Sequence, residues 1–377
     1  MSLHRKKILF VANSAWHLQN FRAPLIVELM NHGAEVVAIA PRDQYADDLV
    51  QKLGVRYISI PIGRKTLNPI SDLVIGSRLH RLYVREAPDI VFHNTIKPVI
   101  YGSIAAHHAG VRRIVNMIPG LGYVFSGTGI AQRLLRPLVT EMYRFALRRS
   151  HVVLFQNPDD REFFELEGLV TSEKARMVYG SGVDLTHFYF VEPRTGASTR
   201  FLFLGRMLWN KGVGEFVSAA VIVRKRHPET EFQLLGIIDK ENPSSIPEKT
   251  VRQWHDSGDI EFLGSTNDVR SVLKDSDVVV LPSYYREGVP RSLLEAAAMG
   301  KAIVTTDMPG CREAVIHQQT GILVPPKSVD ALVEAMTFMI NEPKRRAEMG
   351  RQARQFASQS FDVEDVNRKI LGIMNID

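Results

Sequence analysis

The sequence predicts an α/β chain of two doubly wound domains of similar size, and three observations carry that prediction. Short apolar, β-branched runs alternate with longer stretches of helical periodicity, the pattern of parallel sheets covered by helices on both faces. The rhythm stops over 184–199, which carries Pro193, Thr195, Gly196 and Ser198, and starts again at Phe201. The length of 377 residues fits two domains at roughly 100–200 residues each.

In the first half strands are expected over 7–12, 35–40, 56–60, 89–93, 113–118 and 152–156. Arg5-Lys6-Lys7 before the first run imitates an export signal, but the apolar stretch ends at Asn13-Ser14, short of the roughly 7–15 residues such a signal needs. It is read as a buried strand. Over 130–149, Leu134, Leu138, Met142 and Phe145 share one helical face and Arg133, Arg136, Arg144 and Arg148 another, with Pro137 expected to kink or restart the helix. That stripe is either core beneath a solvated arginine face, the reading preferred here, or a basic amphipathic helix lying in a membrane interface.

In the second half strands are expected over 201–204, 231–235, 260–263, 278–281, 302–305 and 322–324. Pro290 suits a helix start and Gly300 its end, giving a helix over 290–299, and three more helices follow over 328–340, 344–358 and 363–374. The expected division is a first domain over 1–188, a second over 189–360, and a terminal helix over 361–377 packing back toward the first. Ligands of such sheets bind at the carboxyl ends of the strands, and a cleft between two domains is the expected active site.

Composition narrows the function. With Cys311 the single cysteine, no intrachain disulfide and no Cys-ligated metal centre can form, which fits a reducing compartment such as the cytosol. No charge-free apolar run reaches about 18 residues, so lipid contact is expected to be peripheral. Residues 1–189 hold 23 Lys and Arg against 16 Asp and Glu, whereas the remainder holds 24 against 25. The basic first half attracts phosphate-rich partners; nucleic acid is disfavoured, because no binding motif or interleaved aromatics accompany the charge.

Two segments carry chemistry. In Leu204-Gly205-Arg206-Met207-Leu208-Trp209-Asn210-Lys211-Gly212, a glycine at a strand tip permits a tight turn, and two cations stand near a helix N-terminus that already favours anions, a setting for a diphosphate. In Arg286-Glu287-Gly288-Val289-Pro290-Arg291-Ser292-Leu293-Leu294-Glu295, the free N–H groups of the first helical turn form a nest for phosphate or a sugar hydroxyl. Glu287 and Glu295 there can each accept hydrogen bonds from hydroxyls of one ligand.

These segments, with Glu287 and Glu295 in an E-x7-E spacing, Met308-Pro309-Gly310-Cys311-Arg312-Glu313 and Thr320-Gly321-Ile322-Leu323-Val324-Pro325, together resemble the family 4 retaining glycosyltransferases of the GT-B fold. The resemblance covers the whole second half; the first half agrees through its strand–helix rhythm, Pro88-Asp89-Ile90-Val91 and Gly180-Ser181-Gly182-Val183-Asp184. It implies two Rossmann-like domains facing a central cleft, a nucleotide-sugar donor on the second and an acceptor on the first. Residue by residue it implies that Gly205, Arg206 and Lys211 meet the donor diphosphate, that Glu287 with Gly288, Val289 and Pro290 meets the donor sugar, that Glu295 meets the ribose, and that Phe262 and Leu263 border the base. Glu287, Arg206 and Lys211 then carry catalysis, no metal or other cofactor is required, and UDP is the expected nucleotide.

Gly120-Leu121-Gly122-Tyr123, Asn94-Thr95-Ile96-Lys97-Pro98 and Asn13-Ser14-Ala15-Trp16 resemble the bacterial branch that builds surface polysaccharides or lipid-linked oligosaccharides. This implies a polyprenyl-diphosphate saccharide as acceptor and a peripheral place on the anionic inner face of the cell membrane. Lys97 and Arg22 are then candidates for the acceptor's phosphates, Trp16 and Tyr123 for stacking on its sugar or prenyl chain, and Gly122 is a further acceptor-site candidate. The family histidine after the fifth strand is absent from Asn116-Met117-Ile118-Pro119-Gly120-Leu121-Gly122-Tyr123-Val124-Phe125, so that role is unassigned. His93, at a strand end, is equally an acceptor-site candidate and a satisfied structural residue. The competing readings are a GT-B nucleotide-sugar epimerase or hydrolase, and a non-catalytic nucleotide-sugar or membrane-binding module.

Overall fold

The computed structural model describes residues 6–63, 69–122, 125, 129–194, 196 and 198–374. The chain forms two compact units, Met1–Ser181 with Val363–Asp377, and Gly182–Asp362.

The first unit is built on a seven-stranded parallel sheet, β1 (Lys7–Val11), β2 (Glu35–Ala40), β3 (Arg56–Ser59), β4 (Ile90–Asn94), β5 (Arg113–Ile118), β6 (Val152–Phe155) and β7 (Ala175–Met177), in the order β3-β2-β1-β4-β5-β6-β7. Its helices are α1 (Ala15–Asn31), α2 (Gln44–Leu53), α3 (Pro69–Glu86), a π turn (Pro98–Gly102) running into α4 (Ser103–His108), α5 (Ile130–Leu147), α6 (Pro158–Leu166) and, from the far end of the chain, α13 (Val363–Ile373).

The near-continuous apolar runs follow from burial on both faces. Ile8 and Phe10 of β1 join Val36 and Ala38 in one core cluster with α1, while Leu9 and Val11 join Val37 and Ile39 in another with α3. Val366, Ile370 and Met374 complete the first of these clusters, so α13 covers the same sheet face as α1. Arg113 Nη2 adds a 3.1 Å bond to Ile373 O.

The second unit carries a six-stranded parallel sheet, β8 (Arg200–Leu204), β9 (Glu231–Leu235), β10 (Glu261–Phe262), β11 (Val278–Leu281), β12 (Ala302–Thr306) and β13 (Gly321–Val324), in the order β10-β9-β8-β11-β12-β13. Helices α7 (Val213–Arg226), α8 (Glu248–Asp256), α9 (Arg270–Lys274), α10 (Arg291–Ala298), α11 (Val329–Asn341) and α12 (Pro343–Ser360) enclose one core cluster that runs from Val183 to Phe361.

Several expectations need correction. The segment over 184–199 is not a free connection: Asp184 Oδ1 accepts from Thr186 N and His187 N, Phe188 is buried, and Arg194 pairs with Asp277 at 3.1 Å, all within the second unit. The units divide after Ser181 and Asp362 rather than after 188 and 360. Strand β7 went unpredicted because three residues, Ala175-Arg176-Met177, show no alternation long enough to read. Pro137 neither ends nor restarts α5, which runs unbroken from Ile130 to Leu147.

The apolar stripe of α5 is core only at Met142, which packs against the interior cluster. Val139, Tyr143, Ala146 and Leu147 face the interior, while Leu134, Leu138 and Phe145 are 76%, 59% and 49% exposed. Arg133, Arg136 and Arg148 stand exposed on the same helix. Among the described residues no helix is long and apolar enough to cross a membrane.

Candidate active site

In the second sheet the strand order reverses between β8 and β11, and an open α/β sheet forms its ligand crevice outside the strand ends at such a reversal. The loop after β8 ends in a 3₁₀ turn, Trp209–Lys211, and pivots into α7 at Gly212, whose φ is +78°. A Cβ there would lie 2.1 Å from Pro282 O, so only glycine lets the loops after β8 and β11 touch. The β11 loop hangs on one carbonyl: Tyr284 N and Ser283 Oγ donate to Asn210 O at 3.1 and 3.3 Å. Lys211 Nζ then reaches Glu287 Oε1 at 2.5 Å, both side chains only 14% exposed. The single Ser283 Oγ proton is shared between Asn210 O and this carboxylate oxygen, 3.1 Å away.

A third loop, after β12, closes underneath. Glu287 N donates to Pro309 O at 3.3 Å, and Gly310 at φ +88° passes so near Gly288 that a Cβ would lie 1.7 Å from its carbonyl oxygen. Gly310 N is bound by Glu313 Oε2 at 2.5 Å. Helix α10 begins beyond, with Pro290 at the N-cap, no side-chain capping bond and no acidic residue in its first turn. The N–H groups of Arg291 and Ser292 precede the intrahelical ladder, and nothing in that turn competes with an anion for the helix dipole.

The other second-unit candidates are placed around this centre. Arg206, about half exposed, pairs with Asp239 at 3.0 Å, a surface ion pair worth about 0–1 kcal/mol and readily surrendered to a phosphate. Glu295 is buried on α10 with Arg291 Nε 2.8 Å from Oε1; burial pushes its carboxyl up, and Arg291 opposes that shift. Phe262 and Leu263 lie at the sheet edge, their N–H groups already engaged by His255 Nδ1 and Leu234 O.

The turn at Gly205 does not itself require glycine: its φ is not positive and a Cβ would meet nothing closer than 3.5 Å, whereas Gly236, after β9, passes so close that a Cβ there would lie 1.8 Å from Gly205 O. Burial pushes the Cys311 thiol up to about 12, so it stays protonated and inert beneath this site.

Most of the described first-unit candidates already have partners within their own unit. Trp16 is partly exposed, its N–H bound by Asp43 Oδ2 at 3.2 Å and its ring edge-on to Phe21. Lys97 is committed to a buried pair with Asp72 at 2.6 Å, which Tyr101 also reaches at 3.2 Å. His93 is fully buried: Nδ1 lies 2.9 Å from Asn116 Oδ1, Nε2 lies 2.9 Å from Tyr83 Oη, and Gly102 packs against the ring. Burial holds its pKa down to about 4, so it is neutral at physiological pH and takes no proton there. Arg22 is buried on α1 and bonds Asn94. Gly122 has φ +73° beside Ile96, and Tyr123 lies outside the described residues.

Two family models match the chain, "Glycosyl transferase 4-like" over residues 7–157 and "Glycosyl transferases group 1" over 190–356. The chain is a GT-B glycosyltransferase of the family 4 type. Along 365 residues, 94% of each chain, it is 29% identical to the N,N'-diacetylbacillosaminyl-diphospho-undecaprenol alpha-1,3-N-acetylgalactosaminyltransferase of Campylobacter jejuni. It is 26% identical over 314 residues, 80% of this chain and 78% of the relative, to the UDP-Gal:alpha-D-GlcNAc-diphosphoundecaprenol alpha-1,3-galactosyltransferase of Escherichia coli. The crystal structure of Anabaena HepE in complex with UDP and glucose shares its fold with a TM-score of 0.79 at 18% identity, covering 99% of this chain and 100% of that one.

Four groups in the glycosyltransferase site escaped the sequence reading: Ser283, Asn210, Asp239 and Arg291. Ser283 precedes Glu287 by four residues in one loop and could have been suspected from that spacing. Asp239 lies in the loop after a different strand, and only the sheet order brings it to Arg206.

Proposed function

We propose that the glycosyltransferase moves a hexose or N-acetylhexosamine from a UDP-sugar to a saccharide carried on a polyprenyl diphosphate, with retention at the anomeric carbon. The observation that carries the reading is the Lys211–Glu287 pair at the β8/β11 reversal, a mostly covered cation whose partner lies three residues before the N-cap of α10. The names of the Campylobacter and Escherichia relatives, both alpha-1,3-transferases to undecaprenyl-diphosphate-linked sugars, support the acceptor class, and the UDP complex of HepE supports the nucleotide.

Breaking the anomeric C–O bond builds positive charge on the sugar and negative charge on the departing diphosphate. Lys211 and Arg206 exchange their carboxylate partners for diphosphate oxygens, and fixed cations aimed at the charge that develops lower the barrier. Glu287, released from Lys211, meets the donor sugar together with the backbone at Gly288 and Val289, while Pro290 has no N–H to give. Glu295 takes the ribose hydroxyls, and the Phe262–Leu263 edge borders the base. The exposed leucines and arginines of α5 seat the enzyme peripherally on an anionic membrane, where such an acceptor resides.

Thermal melting against UDP, GDP, ADP and CMP and their sugars tests this. A ligand present at 100 times its Kd stabilises the folded chain by about 2.7 kcal/mol. A shift confined to UDP compounds is expected. Silence from every nucleotide would overturn the transferase reading and leave a membrane-binding module.

A further inference from the structure

In the first sheet the strand order reverses between β1 and β4, and at that reversal lies the buried cation Arg22. Arg22 is 1% exposed, and no carboxylate among the described residues approaches it. Nε donates to Asn94 Oδ1 at 2.8 Å and Nη1 to Phe21 O at 3.1 Å, while Nη2 is buried without a hydrogen-bond partner. The face of Phe92, 5.8 Å from the guanidinium carbon, offsets only part of the charge.

A guanidinium can only donate, so the Asn94 atom that faces it is the oxygen, and the amide nitrogen is turned away. That Nδ2 is also buried and unpartnered, as is Oγ1 of the next residue, Thr95. Arg22 and two successive residues at the end of β4 therefore each hold a spare donor, beside a positive charge that no carboxylate among the described residues balances. Buried polar groups are otherwise almost always satisfied; the guanidinium and amide N–H groups can only donate and the threonine hydroxyl can donate, so an oxyanion satisfies all three.

We propose that Arg22, Asn94 and Thr95 form an oxyanion subsite that takes a phosphoryl group of the acceptor's diphosphate, an assignment that rests on the lipid-diphosphate acceptor proposed above. Arg22 stays cationic at neutral pH even though burial lowers its pKa to about 10. Thr95, half-buried, is the outermost of the three, and its φ of +71° is one that a β-branched residue holds only under constraint. The phosphoryl group is admitted as Thr95 moves, and it draws its affinity from the guanidinium charge behind.

Arg22→Met keeps the bulk and removes the charge. A cation kept for a ligand burdens the ligand-free fold, so the variant is expected to melt at or above the wild-type temperature. Farnesyl diphosphate should raise the melting temperature of the wild type and not of Arg22→Met; farnesol should shift neither. With a short-chain polyprenyl-diphosphate saccharide, KM should rise at least ten-fold in Arg22→Met and several-fold in the milder Thr95→Val, the KM for the sugar nucleotide holding within two-fold.

A variant that melts well below wild type, while farnesyl diphosphate shifts both proteins equally or neither, would make Arg22 structural and overturn the inference. Inorganic pyrophosphate acting as strongly as farnesyl diphosphate would assign the subsite to a free anion and overturn the acceptor assignment. Measured alongside, a wild-type shift with UDP separates the two failures. If it persists, only the subsite falls; if it is missing, the transferase reading itself fails.

Discussion

The two sheets reverse strand order in the same way, yet they bridge the reversal with different chemistry. In the second unit the cation that follows the first strand meets a carboxylate, Lys211 on Glu287 at 2.5 Å, with Arg206 on Asp239 close in sequence. In the first unit the corresponding cation, Arg22, meets the neutral amide of Asn94. An ionic bridge fixes two loops while holding a cation ready to change partners. A neutral bridge leaves the charge undiminished at the expense of stability, because a buried ion without a counter-charge is costly. On the proposals above, the first arrangement suits a cation whose diphosphate gains charge as the donor bond breaks, the second a cation whose diphosphate enters and leaves chemically unchanged.

Removing the ionic bridge tests that contrast most severely. Lys211→Met should lower kcat by about 10²–10³, the loss typical of one electrostatic contact made in the transition state, and should weaken UDP at least ten-fold by calorimetry. Glu287→Gln makes the second reversal resemble the first, a cation beside a neutral amide. Turnover should then fall about 100-fold while UDP affinity holds or rises. An equal loss of both would contradict the placement of Glu287 on the sugar and the idea that the carboxylate competes with the diphosphate.

Backbone interlocking separates the regions next. Gly310→Ala forces a Cβ into Gly288 O at φ +88° and should cost on the order of 3 kcal/mol by denaturant unfolding. Gly205→Ala, with no neighbour nearer than 3.5 Å, should stay within about 1 kcal/mol. Equal effects would mean that the loops after β11 and β12 do not interlock as described.

Acid should act on the two units with opposite sign. The folded-state pKa of His93 is about 4, below its ordinary value near 6.5, so the unfolded chain binds the proton first. Its contribution is present above pH 6.5 and is lost as pH falls toward 4, on the order of 3 kcal/mol for a shift of that size. Glu295 in the second unit has its carboxyl raised, so its contribution is present at low pH and is lost as pH rises through the folded-state value. Calorimetry from pH 7 to 4 should show the first unit's transition falling sooner, and His93→Gln should flatten that fall.

The sheets were legible in the sequence because burial on both faces writes continuous apolar runs, as in Ile8–Ala12 and Val278–Leu281. The second-unit centre was legible in part, since Lys211 and Glu287 lie directly after strands whose order follows from the doubly wound pattern. What escaped was pairing across the sheet. Nothing in the sequence tells that Lys97 belongs to Asp72, that the His93 ring is filled on both nitrogens, or that Arg22 meets no carboxylate among the described residues. Those facts depend on which side chains three-dimensional packing brings within 3 Å, and residue type alone leaves that open. The need for glycine near Gly205 has the same origin: it falls on Gly236, whose backbone passes against Gly205 O from a loop after another strand.

The smallest effect on stability is expected from the outer face of α5, and it bears on the same division of labour. Leu134 and Leu138 are mostly exposed, so Leu134→Ser with Leu138→Ser removes almost no buried surface and should change unfolding stability by no more than about 0.5 kcal/mol. If the face meets lipid, the same double variant should abolish cosedimentation with anionic vesicles, and wild-type binding should weaken as salt is raised, because the exposed Arg133, Arg136 and Arg148 are screened beyond about 8 Å at physiological ionic strength. A stability loss of several kcal/mol would return the stripe to the core. Vesicle binding that ignores both the leucines and the salt would move membrane contact to another surface and leave the basic first unit with its phosphates alone.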